Sequence, residues 1–348
     1  MARRRRKRRP GPRRKSSRKL WLGTAVAALV AGYFLLPFGA DAPVQTAYAP
    51  EGAAGGVRLT GIENDSAATI EPPPVQSKSK ESPQPAPSAP TPTKPSPERS
   101  AEALRLFELA RQGASDGDRI AARTQLNQAL LIGLPPDKEA QACSQLAQIA
   151  DDVIFGPKRD HRDPLVASHV IQPGDTLGKI AKKYHVTDNL LAAINGIQDK
   201  NRIRAGQNLK VVQGPFHVKI FKNRLVMQVF LQETFVRQFA VGLGSENGTP
   251  TGEWAVTDKL VNPPYYSPRG EGIIAADDPD NPLGERWIGL RGISGEAVGQ
   301  QRYGIHGTHD PSTIGKNESL GCVRMYNEDV EALYDMLVSQ HSRVIIVE

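Results

Sequence analysis

The hydrophobic positions change their period from one stretch of the chain to the next, and each period predicts a different kind of element. Leu20 to Ala40, "LWLGTAVAALVAGYFLLPFGA", runs 21 residues without a charge. That is long enough for a helix to cross a bilayer. From Asp41 to about Glu98 no period holds, and "EPPPVQSKSKESPQPAPSAPTPTKPSPE" is too rich in Pro and Ser to bury a core, so 41–98 is expected to be a disordered spacer. Over 99–156 the spacing turns to three and four, with Ala103, Phe107 and Ala110, then Ala122, Leu126, Ala129 and Leu130, then Cys143, Leu146, Ala150 and Val153. This predicts amphipathic helices, with Ser100 and Asp118 as N-caps and Pro135 and Pro136 opening the third.

Residues 168–213 predict a short strand, a helix capped by Asp175 or Thr176, a helix capped by Asp188, and a closing strand from Leu209 to Val212. From Pro215 onward the period is two: Phe216, Val218 and Ile220; Leu225, Met227, Val229 and Leu231; Phe235, Phe239 and Val241. These read as a meander of half-buried strands. The stretch from Asn262 to Gly284 is too long to be only a connector. A helix with Val330, Leu333 and Leu337 on one face leads into a last strand, "RVIIVE". The expected architecture is therefore multidomain: a helical hairpin region over 99–156, a small βααβ unit over 168–213 and a mainly β domain over 215–348.

Charge changes this picture at one end only. The formal charge is +7, but residues 1–19 hold twelve Lys and Arg and no acid, which leaves a mildly acidic remainder. No second basic patch or aromatic platform follows to form a nucleic-acid groove. The basic arm followed by an uncharged span instead predicts a single-pass membrane anchor at 20–40, with the arm in the cytoplasm and the rest outside. A signal peptide cleaved near Ala47 or Ala49 is the alternative.

The chain has two cysteines and so no disulfide framework. Cys143 falls on the apolar stripe of the third helix, where a thiol is a small hydrophobe. Cys322 falls in "GIHGTHDPSTIGKNESLGCVRM", with His306, His309, Ser319 and Arg324. A thiol needs a base to react at neutral pH, and His306 can serve. Gly307 lets backbone pass close to the imidazole, and Gly321 allows a tight turn that presents the sulfur beside free N–H groups. Zinc held by His306, His309 and Cys322 is the rival reading, though the spacing offers no clear fourth ligand. No cofactor is implied.

Three stretches carry resemblances. "PGDTL" at 173–177, "LLAAINGI" at 190–197 and "IRAGQNLKV" at 203–211 resemble a LysM domain. That resemblance implies binding to peptidoglycan glycan, with Gly174, Asp175, Thr176, Leu177, Asn195 and Ile197 as contacts, and a module that supplies local concentration and not chemistry. "GTPTGEW" at 248–254, "NPLGERWIGL" at 281–290, "YGIHGT" at 303–308 and "SLGCVRM" at 319–325 are similar to the YkuD-type catalytic domain of L,D-transpeptidases. This second resemblance implies Cys322 as nucleophile, His306 as general base oriented by the Gly307 carbonyl, and Ser319, Gly321 and Arg324 as further site residues. It also implies acyl transfer on peptidoglycan stems in the periplasm or cell wall space of a bacterium, ending in cross-linking, exchange, protein attachment or hydrolysis. A peptidoglycan-binding scaffold is the non-enzymatic alternative. The helices of 99–156 resemble one tetratricopeptide-like unit, a possible seat for a protein partner.

Overall fold

Three helices open the described chain: α1 (Pro97–Ser115), α2 (Arg119–Ile132) and α3 (Pro136–Ala150). Ser96 starts α1, its hydroxyl accepting from Arg99 N at 3.4 Å, so Ser100 lies one turn inside. Asp118 caps α2 as the spacing predicts, accepting from Ala121 N at 3.3 Å. The computed structural model describes residues 96–348 apart from Asp116, Pro268, Arg269 and Glu271. The basic arm, the 20–40 span and the spacer before residue 96 lie outside the described residues. Among the described residues no helix is long and apolar enough to cross a membrane.

An independent tetratricopeptide-like hairpin is not supported, because the helices' apolar stripes are already covered by a sheet. Phe107, Leu126 and Leu146 share one apolar cluster with Phe230 and Phe235. Asn127 adds a polar clasp, donating to Glu233 O and accepting from Phe235 N, each at 3.0 Å.

The next elements are β1 (Val166–Val170), α4 (Leu177–Lys183), α5 (Asp188–Ile194) and β2 (Asn208–Val212), with β1 and β2 antiparallel. Thr176 caps α4, accepting from Lys179 N at 3.2 Å, while Asp175 accepts from Gln172 N at 2.9 Å and meets His169 Nε2 at 3.0 Å. Thr187, not Asp188, caps α5: its backbone is extended and its hydroxyl accepts from Leu190 N at 3.1 Å, whereas Asp188 is already helical.

The remaining chain gives β3 (Phe216–Phe221), β4 (Val226–Leu231), β5 (Thr234–Ala240), β6 (Leu243–Gly244), β7 (Gly252–Val261), β8 (Tyr265–Tyr266), β9 (Ile273–Ile274), β10 (Arg286–Gly295), β11 (Tyr303–His306), β12 (Asn317–Ser319), β13 (Val323–Arg324), α6 (Asn327–Met336) and β14 (Arg343–Val347). Eight of these form one sheet in the order β13, β11, β10, β7, β14, β3, β4, β5. The meander of β3 to β5 lies where the pattern places it, but Leu225 sits in the turn before β4 with φ of 52°, and β4 is buried on both faces rather than one, Val229 in the sheet core and Phe230 under the helices.

The expectation of a module that only concentrates the enzyme meets a packed interface. Leu191 and Val211 share a continuous apolar core with Val218, Leu333 and Leu337. Thr187 and Asn189 both bond Asp335, the latter at 2.6 Å. Lys210, fully buried, donates to Val153 O at 2.8 Å and Gly156 O at 2.5 Å, closing the carbonyls just past α3.

Candidate active site

Strand pairing sets the candidate residues on a grid. β10 and β11 run antiparallel with Trp287 opposite His306 and Gly289 opposite Gly304, and β11 and β13 run parallel with His306 beside Arg324. Side chains alternate along a strand. Trp287, His306 and Arg324 therefore make one row of a single face, and Gly289, Gly304 and Cys322, two residues before Arg324, make the next. The two glycines beside Cys322 are covered by neighbouring side chains, which leaves no room for side chains of their own. A Cβ on Gly304 would lie 2.5 Å from the Trp287 ring, and one on Gly289 would lie 2.2 Å from Asp258 Oδ1.

His306 is buried, and its ring stacks on Trp287 with centroids 5.9 Å apart and planes 20° from parallel. Its Nδ1 lies 2.6 Å from Gly307 O. A carbonyl can only accept, so Nδ1 carries the proton and Nε2 keeps its lone pair. Burial pushes the imidazole down to about 4, with Arg324 acting in the same direction and the Gly307 carbonyl against it. At neutral pH the ring is an uncharged base. The Cys322 thiol is pushed up by burial, while the Gly304 backbone N–H and Arg324 favour its anion. Its Sγ sits 3.8 Å from Arg302 O. Both groups rest neutral, so a thiolate forms only when the proton moves.

Two hydroxyls shape the turn that carries Cys322. Ser319 Oγ donates to Cys322 O at 2.6 Å and accepts from Gly321 N at 3.0 Å. Thr249 Oγ1 donates to Gly321 O at 2.8 Å and accepts from Gly244 N at 2.8 Å. In a trans peptide the carbonyl and the following N–H point to opposite sides. With Gly321 O turned to Thr249, the Cys322 N–H points away from it. Gly321 has φ of 137°, and a Cβ there would lie 2.8 Å from Gly248 O. Asn327 holds the other half of the site, its Oδ1 accepting from Thr308 N at 3.0 Å and its Nδ2 donating to Thr308 O at 3.1 Å. That Oδ1 fills the space a Cβ would need on both Gly284 and Gly307.

Cys322, His306, Ser319, Gly321 and Arg324 line one cleft of about 1550 Å³, walled by Pro263 to Ser267 of the long loop. His309 is exposed, and among the described residues no three His, Cys, Asp or Glu side chains gather as a metal site would need. Sequence reasoning gave no role to Trp287, Thr249 or Asn327. Trp287 and Thr249 lie inside the quoted motifs, and Asn327 is foreshadowed only by Gly284 and Gly307, which leave room for something.

Residues 215–346 match the family profile described as the L,D-transpeptidase catalytic domain, and residues 169–212 match that of the LysM domain. YqjB of Bacillus subtilis strain 168, assigned to the L,D-transpeptidases, is 36% identical over 138 residues, which cover 39% of this chain and 73% of YqjB. The chain belongs to the L,D-transpeptidase family. YkuD of Bacillus licheniformis, with the same assignment, is 28% identical over 184 residues, 51% of this chain and 96% of that protein. An L,D-transpeptidase crystal structure from Mycobacterium tuberculosis H37Rv shares 16% identity over 41% of this chain and 63% of its own, at a TM-score of 0.31. The chain thus spans less than two thirds of that structure's length.

In the LysM domain the expected glycan contacts divide. Gly174 and Thr176 are exposed, and Gly174 has open space around it. Leu177 is 1% exposed and belongs to the core. Asn195 spends its amide inside the fold, on Leu191 O at 2.9 Å, Lys210 O at 2.8 Å and Lys210 N at 2.8 Å. Asp175 is engaged by His169 and Gln172 as above, and Ile197 packs against the core. These last four are framework residues of the module.

Proposed function

We propose that this family member is a cell-wall L,D-transpeptidase that uses Cys322 as nucleophile and His306 as general base on peptidoglycan tetrapeptide stems. The observation that carries the reading is the neighbouring rows of one sheet face: a thiol in the one, and in the other an imidazole whose Nδ1 is committed to Gly307 O and whose Nε2 keeps its lone pair.

The thiol proton passes to His306 Nε2 as Sγ attacks the carbonyl between the diamino acid's L-centre and the terminal D-Ala. The Cys322 N–H, directed away from Thr249, is suited to receive the developing oxyanion, and Arg324 lends positive charge. Collapse breaks the C–N bond, His306 returns the proton to the departing D-Ala amine, and a thioester remains. An amine from a second stem then attacks the thioester and passes its proton to His306. Expulsion of the thiolate, which regains that proton, completes a 3-3 cross-link.

The LysM domain would hold the glycan strand while the cleft works on the stem. Residues 20–40 would anchor the protein in the inner membrane, and the spacer would give it reach into the periplasm.

The test is incubation of the purified protein with a disaccharide-tetrapeptide. Released D-Ala, an adduct on Cys322 with the mass of the stem less D-Ala, and a cross-linked dimer are expected. D-Ala release without dimer would make the enzyme a carboxypeptidase, and an inert, folded protein would favour a wall-binding scaffold.

A further inference from the structure

One row beyond Cys322 the grid changes character. Leu290 pairs with Tyr303 at the end of the register, with Arg291 next along β10 and Arg302 in the bend just before β11. Both arginines are exposed, and both line the cleft together with Arg324 on the far side of Cys322. Asp258 is the only carboxylate among the described lining residues. It is already engaged, by Trp287 Nε1 at 3.1 Å and Thr257 Oγ1 at 2.8 Å.

Two costs fall at this one place. Like charges gathered in one cleft repel. Arg302 also takes φ of 63°, a left-handed backbone unfavourable for a side chain of its size, while its carbonyl meets the Cys322 sulfur. An anion seated between the two guanidinium groups turns the repulsion into attraction, and the planar fork of Arg fits a carboxylate in two-point fashion. The Arg302 carbonyl lies 3.8 Å from the Cys322 sulfur, so an anion held by these arginines adjoins the reacting group.

We propose that Arg291 and Arg302 form a carboxylate subsite that selects acyl donors with a free carboxylate near the reacting carbonyl, an inference that rests on the transpeptidase reading above. A tetrapeptide stem offers two such groups: the terminal carboxylate of D-Ala and a carboxylate at the far end of the third residue's side chain.

The experiment measures kcat/KM for release of the fourth residue from three soluble donors: one with both carboxylates free, one amidated on the third residue's side chain, and one amidated at the C-terminus. The purified full chain is compared with R291Q, R302Q, R291Q/R302Q and R302K, and iodoacetamide labelling of Cys322 reports whether the site stays intact. The wild type is expected to lose about tenfold to hundredfold on one amidated donor, the scale of a charge-assisted hydrogen bond. The double variant should show the same loss on the free donor and no further loss on that amide, while R302K keeps part of the preference. Which amide is penalised identifies the carboxylate. Equal use of all three donors by the wild type, or an undiminished preference in a double variant that still labels normally, overturns the subsite alone. Failure to turn over any donor, with Cys322 labelling normally, overturns the transpeptidase reading with it.

Discussion

The two cysteines of this chain lie toward opposite edges of one eight-stranded sheet, and their surroundings show how differently the two edges are built. Cys143, on α3, is buried against β4 and lies 3.8 Å from the Gln228 amide. Burial, helped by the Glu139 carboxylate, pushes its thiol up to about 12, against a smaller pull from Arg224. Cys322, at the β13 edge, is also raised by burial, but there a backbone N–H of Gly304 and the cation of Arg324 favour the anion. Burial alone does not separate an inert thiol from a useful one. Regular structure around Cys143 consumes its own polar groups, whereas the bend before β13, held by Ser319 and Thr249, turns the Cys322 N–H away from Thr249.

The sharpest way to break this comparison is to remove each thiol in turn. Cys322→Ala should lower D-Ala release by about a thousandfold or more while the urea midpoint stays near wild type. Cys143→Ala should leave turnover unchanged and lower stability by about 1 kcal/mol, a small loss of core packing. A comparable loss of turnover in both variants would erase the distinction.

The next effect is on acid stability. His217 in the sheet interior and His306 at the site are both pushed down to about 4, chiefly by burial. An unfolded imidazole titrates near 6.5, so between about 6.5 and 4 the unfolded chain binds protons that the folded chain refuses. Stability must therefore fall as pH drops through that window, by up to about 3 kcal/mol for each histidine, and level off below it. His217→Gln should flatten part of the slope in urea titrations while D-Ala release is kept. An unchanged slope would mean that His217 is not a buried neutral base.

Asn327→Ala should reduce kcat by about tenfold to hundredfold with KM little changed, because the Gly307 carbonyl that orients His306 loses its backstop. The acid limb of the pH–rate profile should shift as well, and Asn327→Asp, which keeps the acceptor for Thr308 N, should recover part of the rate. A pure stability loss with a wild-type profile would reduce Asn327 to a structural residue. Smallest of all, Asn127→Ala at the β5 edge should cost about 1 kcal/mol in a urea melt and nothing in turnover, since two hydrogen bonds are exchanged for water.

Much of the site was legible because its parts are close in sequence. His306 and Cys322 stand 16 residues apart with glycines beside each. The rest was not legible, for three separate reasons. The last strand, β14, enters the sheet between β7 and β3, a pairing that no local period encodes. Leu191 and Val211 look like the private core of a small domain and only the structure shows them sharing that core with Leu333 and Leu337. Thr249 and Asn327 act on backbone groups, and a polar side chain that bonds backbone has the same sequence signature as one that faces water. The cap expected at Asp188 fell one residue late for a similar reason, since Thr187 before it can cap a helix equally well.

The hydrogen bond from His306 to its own neighbour's carbonyl has a consequence for heredity. An acceptor supplied by the main chain cannot be deleted by any codon change, because every amino acid brings the same carbonyl. Selection can reach it only indirectly, through Gly307, Gly284 and Asn327, whose packing decides where that oxygen sits. A saturation scan of this gene will thus report two indispensable side chains where three groups cooperate, with the third visible only as an unexplained intolerance at two glycines and an asparagine.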